Sequence, residues 1–240
     1  MSSWQGAWRL LRFEAGRSWF GLLITILMFT YMCIMMMPLF ENLLEHGRGG
    51  GYSWACNFVY LSILPTMGFL MNRSVMRYWS CDAHTRKIAY LRTMPIGWRT
   101  IVMARMLQHV IVLTIVGLYF FSLQYLVLSE LRELLEPGEY IVFALIWYGY
   151  ALFVGATYVY FEQTTNGWTY LAVCFAYLLL FLLVGLLLWL SDTDFMYGTI
   201  EASRNHSFIW PVCSLLLGLA GMCLAGALIQ RRNGSRNLLH

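Results

Sequence analysis

Charged residues are scarce in this chain. Only 12% of its 240 residues are Asp, Glu, Lys or Arg, whereas soluble globular domains carry about 25%. Hydrophobic residues make up 60% of the sequence. Six separate apolar stretches approach or exceed the roughly 20 residues that a transmembrane helix needs. We therefore predict an all-α membrane protein that crosses the bilayer several times and forms one membrane domain.

Sequence signatures of catalysis are also missing. The chain has no HExxH, no GxSxG and no paired aspartates within an apolar stretch. Its glycine run, residues 47–51, lacks the lysine and serine or threonine of a phosphate-binding loop. The six cysteines form neither a CxxC pair nor a zinc-site spacing, and we interpret them as packing residues. We predict no catalytic residue, no metal and no directly bound cofactor. We expect no nucleic-acid partner, because the basic residues adjoin membrane segments.

Six transmembrane helices are predicted within a membrane domain at 19–230. They lie at about 19–39, 54–71, 101–128, 140–161, 168–190 and 208–229, and a tail follows at 231–240. Pro65 should bend or loosen the second helix. Gly221 and Ala225 form a small-xxx-small pair that permits close helix contact. Between the third and fourth spans, Leu131, Leu134 and Leu135 indicate a weak amphipathic helix, whereas 191–207 is interpreted as a polar loop.

Residues 1–18 are predicted to form an amphipathic helix on the membrane surface. Trp4 and Trp8 belong to an apolar stripe, and Arg9 and Arg12 lie on another face. Tryptophan and arginine in this arrangement suit the headgroup region of an anionic leaflet. An ordinary cytoplasmic tail is the alternative.

A few polar residues fall near or within the predicted spans. Arg105 lies near one end of the third span, where its long side chain can snorkel to the interface. Gln108 and His109 follow about one turn further in. His109 is either a hydrogen-bonded packing residue or, with Gln108, part of the polar lining of a passage between subunits. Glu162 lies at a membrane edge with no obvious histidine partner.

The distribution of basic residues predicts the orientation. With both termini in the cytoplasm, thirteen basic residues lie on the inner side and only three, Arg48, Arg132 and Arg204, on the outer side. This satisfies the positive-inside rule. We predict a multi-pass protein of the cytoplasmic membrane with residues 82–105 on the cytoplasmic side.

The stretch 82–105 is the longest polar interruption and contains a short predicted helix. Asp82 can cap a helix, Ile88 and Leu91 share its apolar face, and Pro95 ends it. This face either lies on lipid or docks into a groove of a partner protein.

The same stretch resembles the signature of ABC-2 type transporter permeases. It reads YLRTMPIGWRTIV at 90–102, between Asp82 and Arg105, and departs from the family pattern at Gly97 and Trp98. The resemblance implies that the short helix is a coupling helix that docks into an ATP-binding subunit. The docking residues it implies are Thr85, Arg86, Ile88, Tyr90, Leu91, Arg92, Met94, Pro95 and Ile96.

The resemblance also implies the function. The chain would be the permease subunit of an ATP-driven exporter, paired with a second permease subunit, identical or not, and with two ATP-binding subunits that supply ATP and Mg. The substrate would be amphipathic or hydrophobic: a peptide, an antibiotic or a lipid-linked molecule. The alternative is a stand-alone immunity or stress protein of the membrane that binds a toxin or lipid without an ATPase.

Overall fold

The computed structural model describes residues 3–46, 53–71, 97–205 and 207–234. Within these ranges the chain is helical and has no strand. The helices are α1 (Ser3–His46), α2 (Ser53–Ile63), a 3-10 helix (Leu64–Gly68), α3 (Trp98–Val127), α4 (Ser129–Leu134), α5 (Pro137–Thr164), α6 (Gly167–Leu190), α7 (Phe195–Arg204) and α8 (Ile209–Gly234).

Five of these helices are long and apolar enough to cross a membrane. The candidate spans are Ser18–Asn42, Trp98–Val127, Pro137–Thr164, Gly167–Leu190 and Ile209–Arg232. The prediction of an all-α, multi-pass membrane protein is confirmed at this level. The predicted coupling helix and all nine of its docking residues lie outside the described residues.

The predicted second span is a broken helix. α2 has only 11 residues and is followed directly by the 3-10 helix, in which Pro65 occupies the first turn. Phe69 then has extended backbone, with φ −119° and ψ 131°. Because proline has no N–H and its ring clashes with the preceding turn, the α-helical hydrogen bonds cannot continue through this point. At Pro65, where a bend or loosening was predicted, the α-helix therefore ends and a 3-10 helix follows.

The N-terminal segment is continuous with the first span. α1 is a single 44-residue helix, and it has no break at the predicted boundary near residue 18. Ser18 supports the continuation, because its Oγ donates to the Glu14 carbonyl at 2.9 Å. At 1.5 Å per residue α1 is about 66 Å long, about twice the thickness of a bilayer core.

α1 and α3 begin at the same end of the bundle, which we call the basal end. A Cβ on Gly6 would lie 2.9 Å from Thr100 Cγ2, and further along the two helices Phe29 meets Phe120 edge to face at 6.0 Å. The two helices therefore run parallel, so the chain between them must return across the bundle. The opposite end is the apical end.

α5 is the central helix, and α8 packs closely along it. Ser214 Oγ donates to the Ile146 carbonyl at 2.7 Å. A Cβ on Gly218 would lie 2.8 Å from the Gly149 carbonyl oxygen, and one on Gly221 2.7 Å from the Phe153 ring. Small residues thus let the two backbones approach, which confirms the role predicted for Gly221.

α6 lies at the periphery, where most of its large apolar side chains are exposed. Trp168 and Trp189 near its two ends are both exposed, and they stand about 31 Å apart at 1.5 Å per residue. This spacing matches a bilayer core of about 30 Å, and tryptophan is enriched at both membrane interfaces. The exposed face of α6 therefore has the dimensions of a lipid-facing surface.

Two short helices cover the apical end. α4 buries Leu131, and Leu135 follows it in the core, so the predicted amphipathic helix is confirmed. α7 lies within the segment that was predicted to be a polar loop. Asp194 caps α7 by accepting from Met196 N at 3.0 Å. Asn57 of α2 contacts this cap twice, since its Nδ2 donates to Asp194 Oδ1 at 3.0 Å and its Oδ1 accepts from Met196 N at 2.9 Å.

Candidate functional site

A buried ion pair joins α3 to α5 near the basal end. Arg105 Nε donates to both carboxylate oxygens of Glu162, at 3.2 and 3.1 Å, and Arg105 Nη2 donates to Oε2. The side chains are only 14% and 7% exposed. Buried pairs of this kind lose about 3–5 kcal/mol when one partner is removed, because the other charge is left uncompensated.

Gln108 completes the polar contacts on α3. Its Oε1 accepts from Arg105 Nη1 at 3.2 Å. Because both oxygens of Glu162 already accept hydrogen bonds from Arg105, this carboxylate is not a free base. Arg105, Gln108 and Glu162, which we call the ion-pair cluster, thus join α3 to α5.

The broken second segment reaches this cluster through Phe69. The Arg105 guanidinium carbon lies 5.2 Å from the centroid of the Phe69 ring. The same ring is 5.1 Å from the His109 ring and 6.1 Å from the Tyr158 ring. A cation over an aromatic face is attracted by the ring quadrupole, and more strongly where water is excluded. Phe69 therefore ties the end of the helix break to both α3 and α5.

His109 holds the other side of the break. Its Nδ1 lies 3.2 Å from the Gly68 carbonyl oxygen, and because a carbonyl can only accept, Nδ1 must carry the proton. The ring is completely buried. It fits because Gly68 and Gly155 face it: a Cβ on either glycine would overlap the imidazole. His109 thus satisfies a carbonyl that the end of the helical hydrogen bonds has exposed.

A groove opens beside the helix break. Its volume is about 240 Å³. It lies between the broken segment, α5 and α6, and it is lined by Ser62, Thr66, Phe69, Tyr158, Tyr170, Cys174, Leu178 and Phe181. Ser62 and Thr66 donate their hydroxyl protons to carbonyls of their own segment, so the groove surface is mainly apolar.

The broken segment follows α6 along most of its length. Near the apical end, a Cβ on Gly185 would lie 3.0 Å from the Trp54 carbonyl oxygen. Near the basal end, Phe69 shares the groove with Tyr170 of α6. From residue 185 to residue 170, α6 rises about 22 Å, which is most of a bilayer core.

The residues predicted for the N-terminal surface helix are solvent- or lipid-accessible. Trp4 and Trp8 are about half exposed, and Arg9 and Arg12 are exposed. Ala7 is completely buried, and the neighbouring Gly6 faces Thr100 of α3. The helix therefore has one face on the bundle and an aromatic and basic face directed outward.

Sequence reasoning missed the partnership of Arg105 and Glu162. Arg105 was expected to snorkel to the interface, but its guanidinium turns to Glu162, 57 residues away. For Glu162 the sequence shows only that no histidine lies nearby in the chain. Arg105, Gln108 and His109 follow i, i+3, i+4 spacing, which places them on one helix face. That spacing is the signal that indicates a polar cluster and a need for a buried acidic partner.

The described residues contain no group of three or more His, Cys, Asp or Glu side chains that could hold a metal ion. No family model matches the chain, and neither a curated protein nor a solved structure matches it.

Proposed function

We propose that the chain is the permease subunit of an ATP-driven exporter similar to ABC-2 type transporters. The observation that carries this proposal is the sequence of residues 82–105 together with the place where that stretch joins the bundle. Both flanks of the segment 72–96 lead within a few residues into the cluster. On one flank Phe69 contacts Arg105. On the other, α3 starts at Trp98 and reaches Arg105 two turns later.

This connection gives a mechanism for energy transfer. A partner that displaces the segment 72–96 pulls on the helix break from one side and on α3 from the other. Met71 is also fixed to α1, because its backbone N–H donates to Thr25 Oγ1 at 2.9 Å. Movement of the segment thus acts on α1, α3 and α5 together, as coupling of ATP hydrolysis to transport requires.

We further propose that the broken second segment is the sixth membrane crossing. It returns the chain from the apical end of α1 to the basal start of α3. The basal end is then cytoplasmic, with both termini inside the cell, in agreement with the basic residues near it. The chain would pair with a second permease subunit and two ATP-binding subunits, which would bind ATP and Mg.

An amphipathic or hydrophobic substrate fits this function. The groove beside the break is apolar, and the only buried charges in its vicinity, among the described residues, neutralise each other. A substrate with high net charge would find no compensating group there.

The test is association with a co-expressed ATP-binding subunit of an ABC-2 type transporter from the same organism. We expect the co-expressed wild-type chain to co-purify with that subunit. The double variant Ile88→Asp/Leu91→Asp should retain at least tenfold less of the subunit. Burial of two carboxylates in an apolar groove is strongly unfavourable. Ser74→Asp, in the same polar segment but outside 82–105, is the matched control and should bind normally.

Equal association of the double variant and the control would refute docking through this helix. Binding of a toxin or a lipid by the purified chain, with no ATPase present, would instead support the stand-alone alternative.

A further inference from the structure

Phe69 contacts the ion-pair cluster and also lines the groove beside the helix break. Its ring lies next to Arg105 and His109. The ring also forms part of the groove wall, together with Tyr158 and Cys174. Any shift of this ring therefore changes the cluster and the groove together.

Few backbone bonds hold Phe69 in place. Its N–H donates to the Thr66 carbonyl at 3.0 Å and caps the 3-10 helix, but the α-helical ladder has already ended at Ile63. Beyond it, Met71 is bonded to the Thr25 side chain. The position of the ring is thus set largely by side chains, among them Arg105, whose charge is attracted to the ring face in a buried setting.

Arg105 in turn is held by Glu162. The bidentate geometry fixes the plane of the guanidinium as well as its position. Without the carboxylate, the guanidinium would be a buried charge that has lost its counterion, and it would turn toward water at the basal end. The Phe69 ring would then lose the cation above it.

We propose that the Arg105–Glu162 pair is a latch that acts through Phe69 to keep the helix break closed against the groove. With the latch intact, the Phe69 ring walls off the interior side of the groove. Release of the latch lets the ring swing away and opens the groove toward α3. The device belongs to the membrane domain itself, and it operates whether or not an ATP-binding subunit docks.

Native cysteines report on this movement. Cys174 lines the groove and is partly exposed, Cys56 is completely buried in α2, and Cys223 is exposed on α8. The full-length chain, purified in detergent without any ATPase, is treated with N-ethylmaleimide. The labelling rate of each cysteine is then followed by peptide mass spectrometry.

In Glu162→Gln we expect Cys174 to react at least fivefold faster than in the wild type. Cys56 should stay protected and Cys223 should be unchanged. The charge-reversed double variant Arg105→Glu/Glu162→Arg keeps an ion pair but places a carboxylate instead of a cation beside Phe69, so the Cys174 rate should stay at least threefold above wild type. Arg12→Gln removes an exposed charge from α1 and should leave all three rates unchanged.

Arg105→Lys provides a milder version, should Glu162→Gln fail to assemble. Lysine keeps the charge but loses the bidentate fork and the flat contact with the ring, so we expect a rise of at least threefold at Cys174.

Three outcomes would overturn the latch. The first is a Cys174 rate within twofold of wild type in the assembled single variants. The second is a parallel rise at Cys56, which would indicate general loosening of the bundle. The third is a wild-type Cys174 rate in the charge-reversed variant, which would show that the ion pair alone is sufficient and that the cation over Phe69 is not needed. Because no ATPase takes part, these results are independent of the docking experiment.

Discussion

Gly155→Ala should destabilise the protein through a collision with His109. A Cβ built on Gly155 would lie 2.5 Å from His109 Cε1, and nearer still to Nε2. Non-bonded heavy atoms normally stay about 3.5–4.0 Å apart, so the overlap is about 1 Å. The ring has nowhere to go, since it is completely buried, bonded to the Gly68 carbonyl and packed against Phe69.

The size of the effect follows from two opposing contributions. Overpacking of a well-packed core costs about 1–3 kcal/mol. Because the His109 ring is confined on all sides, we expect a cost of about 3 kcal/mol here. Alanine is favoured over glycine in a helix by up to about 1 kcal/mol. We expect a net loss of about 2 kcal/mol in the free energy of unfolding. At about 2–4 °C per kcal/mol for a domain of this size, the melting temperature should fall by about 4–8 °C.

A double-mutant cycle separates the collision from other effects. His109→Ala alone should destabilise the protein, because it removes the bond to Gly68 and leaves a cavity. In that background the Gly155→Ala change has free space and should stabilise the helix by up to about 1 kcal/mol, which gives a coupling energy of about 3 kcal/mol. Melting of all four proteins in the same detergent measures this coupling.

Gly226→Ala is the matched control, because a Cβ on this α8 glycine would have no atom within 4 Å. It should be neutral or slightly stabilising. A wild-type melting temperature for Gly155→Ala, or an equal cost of this change with and without His109, would refute the collision.

Two further predictions concern the apical end and the topology. Asn57→Ala removes both contacts with the α7 cap, at Asp194 Oδ1 and Met196 N. This should cost about 1–3 kcal/mol, so that amides of 195–204 exchange with deuterium about tenfold faster while those of α5 do not change. Equally faster deuterium exchange in α5 and in 195–204 would contradict a local role for Asn57. Tags at the two termini should both be accessible from the cytoplasmic side only, because we propose that the broken segment supplies a sixth crossing. Termini on opposite membrane sides would refute that crossing.

The helix break illustrates how far local sequence reasoning extends. Pro65 predicts a disturbance of the second span, since its effect on the backbone needs no information from other helices. Whether the helix bends or ends depends on what can satisfy the freed carbonyls. That partner is His109, 41 residues from Gly68, and no local pattern indicates this pairing.

The sequence of α7 contains the signals of a short helix within a polar segment. Asp194 is a good N-cap residue, and Met196, Thr199, Ile200 and Ser203 follow helical spacing and are all buried. The segment was interpreted as a loop because it is polar. Its apolar face is too short to stand out until α2 and α5 provide a surface for it.

The sequence by itself determined the class of protein and the approximate position of its long helices, because scarcity of charge and length of apolar runs are properties of the chain alone. Only the tertiary structure decided what the polar exceptions do. Arg105 and Glu162 neutralise each other, His109 binds the helix break, and Phe69 links both to the groove. The reason is physical: inside a membrane domain a polar group must find a partner, and that partner is chosen by proximity in the folded bundle rather than by distance along the chain.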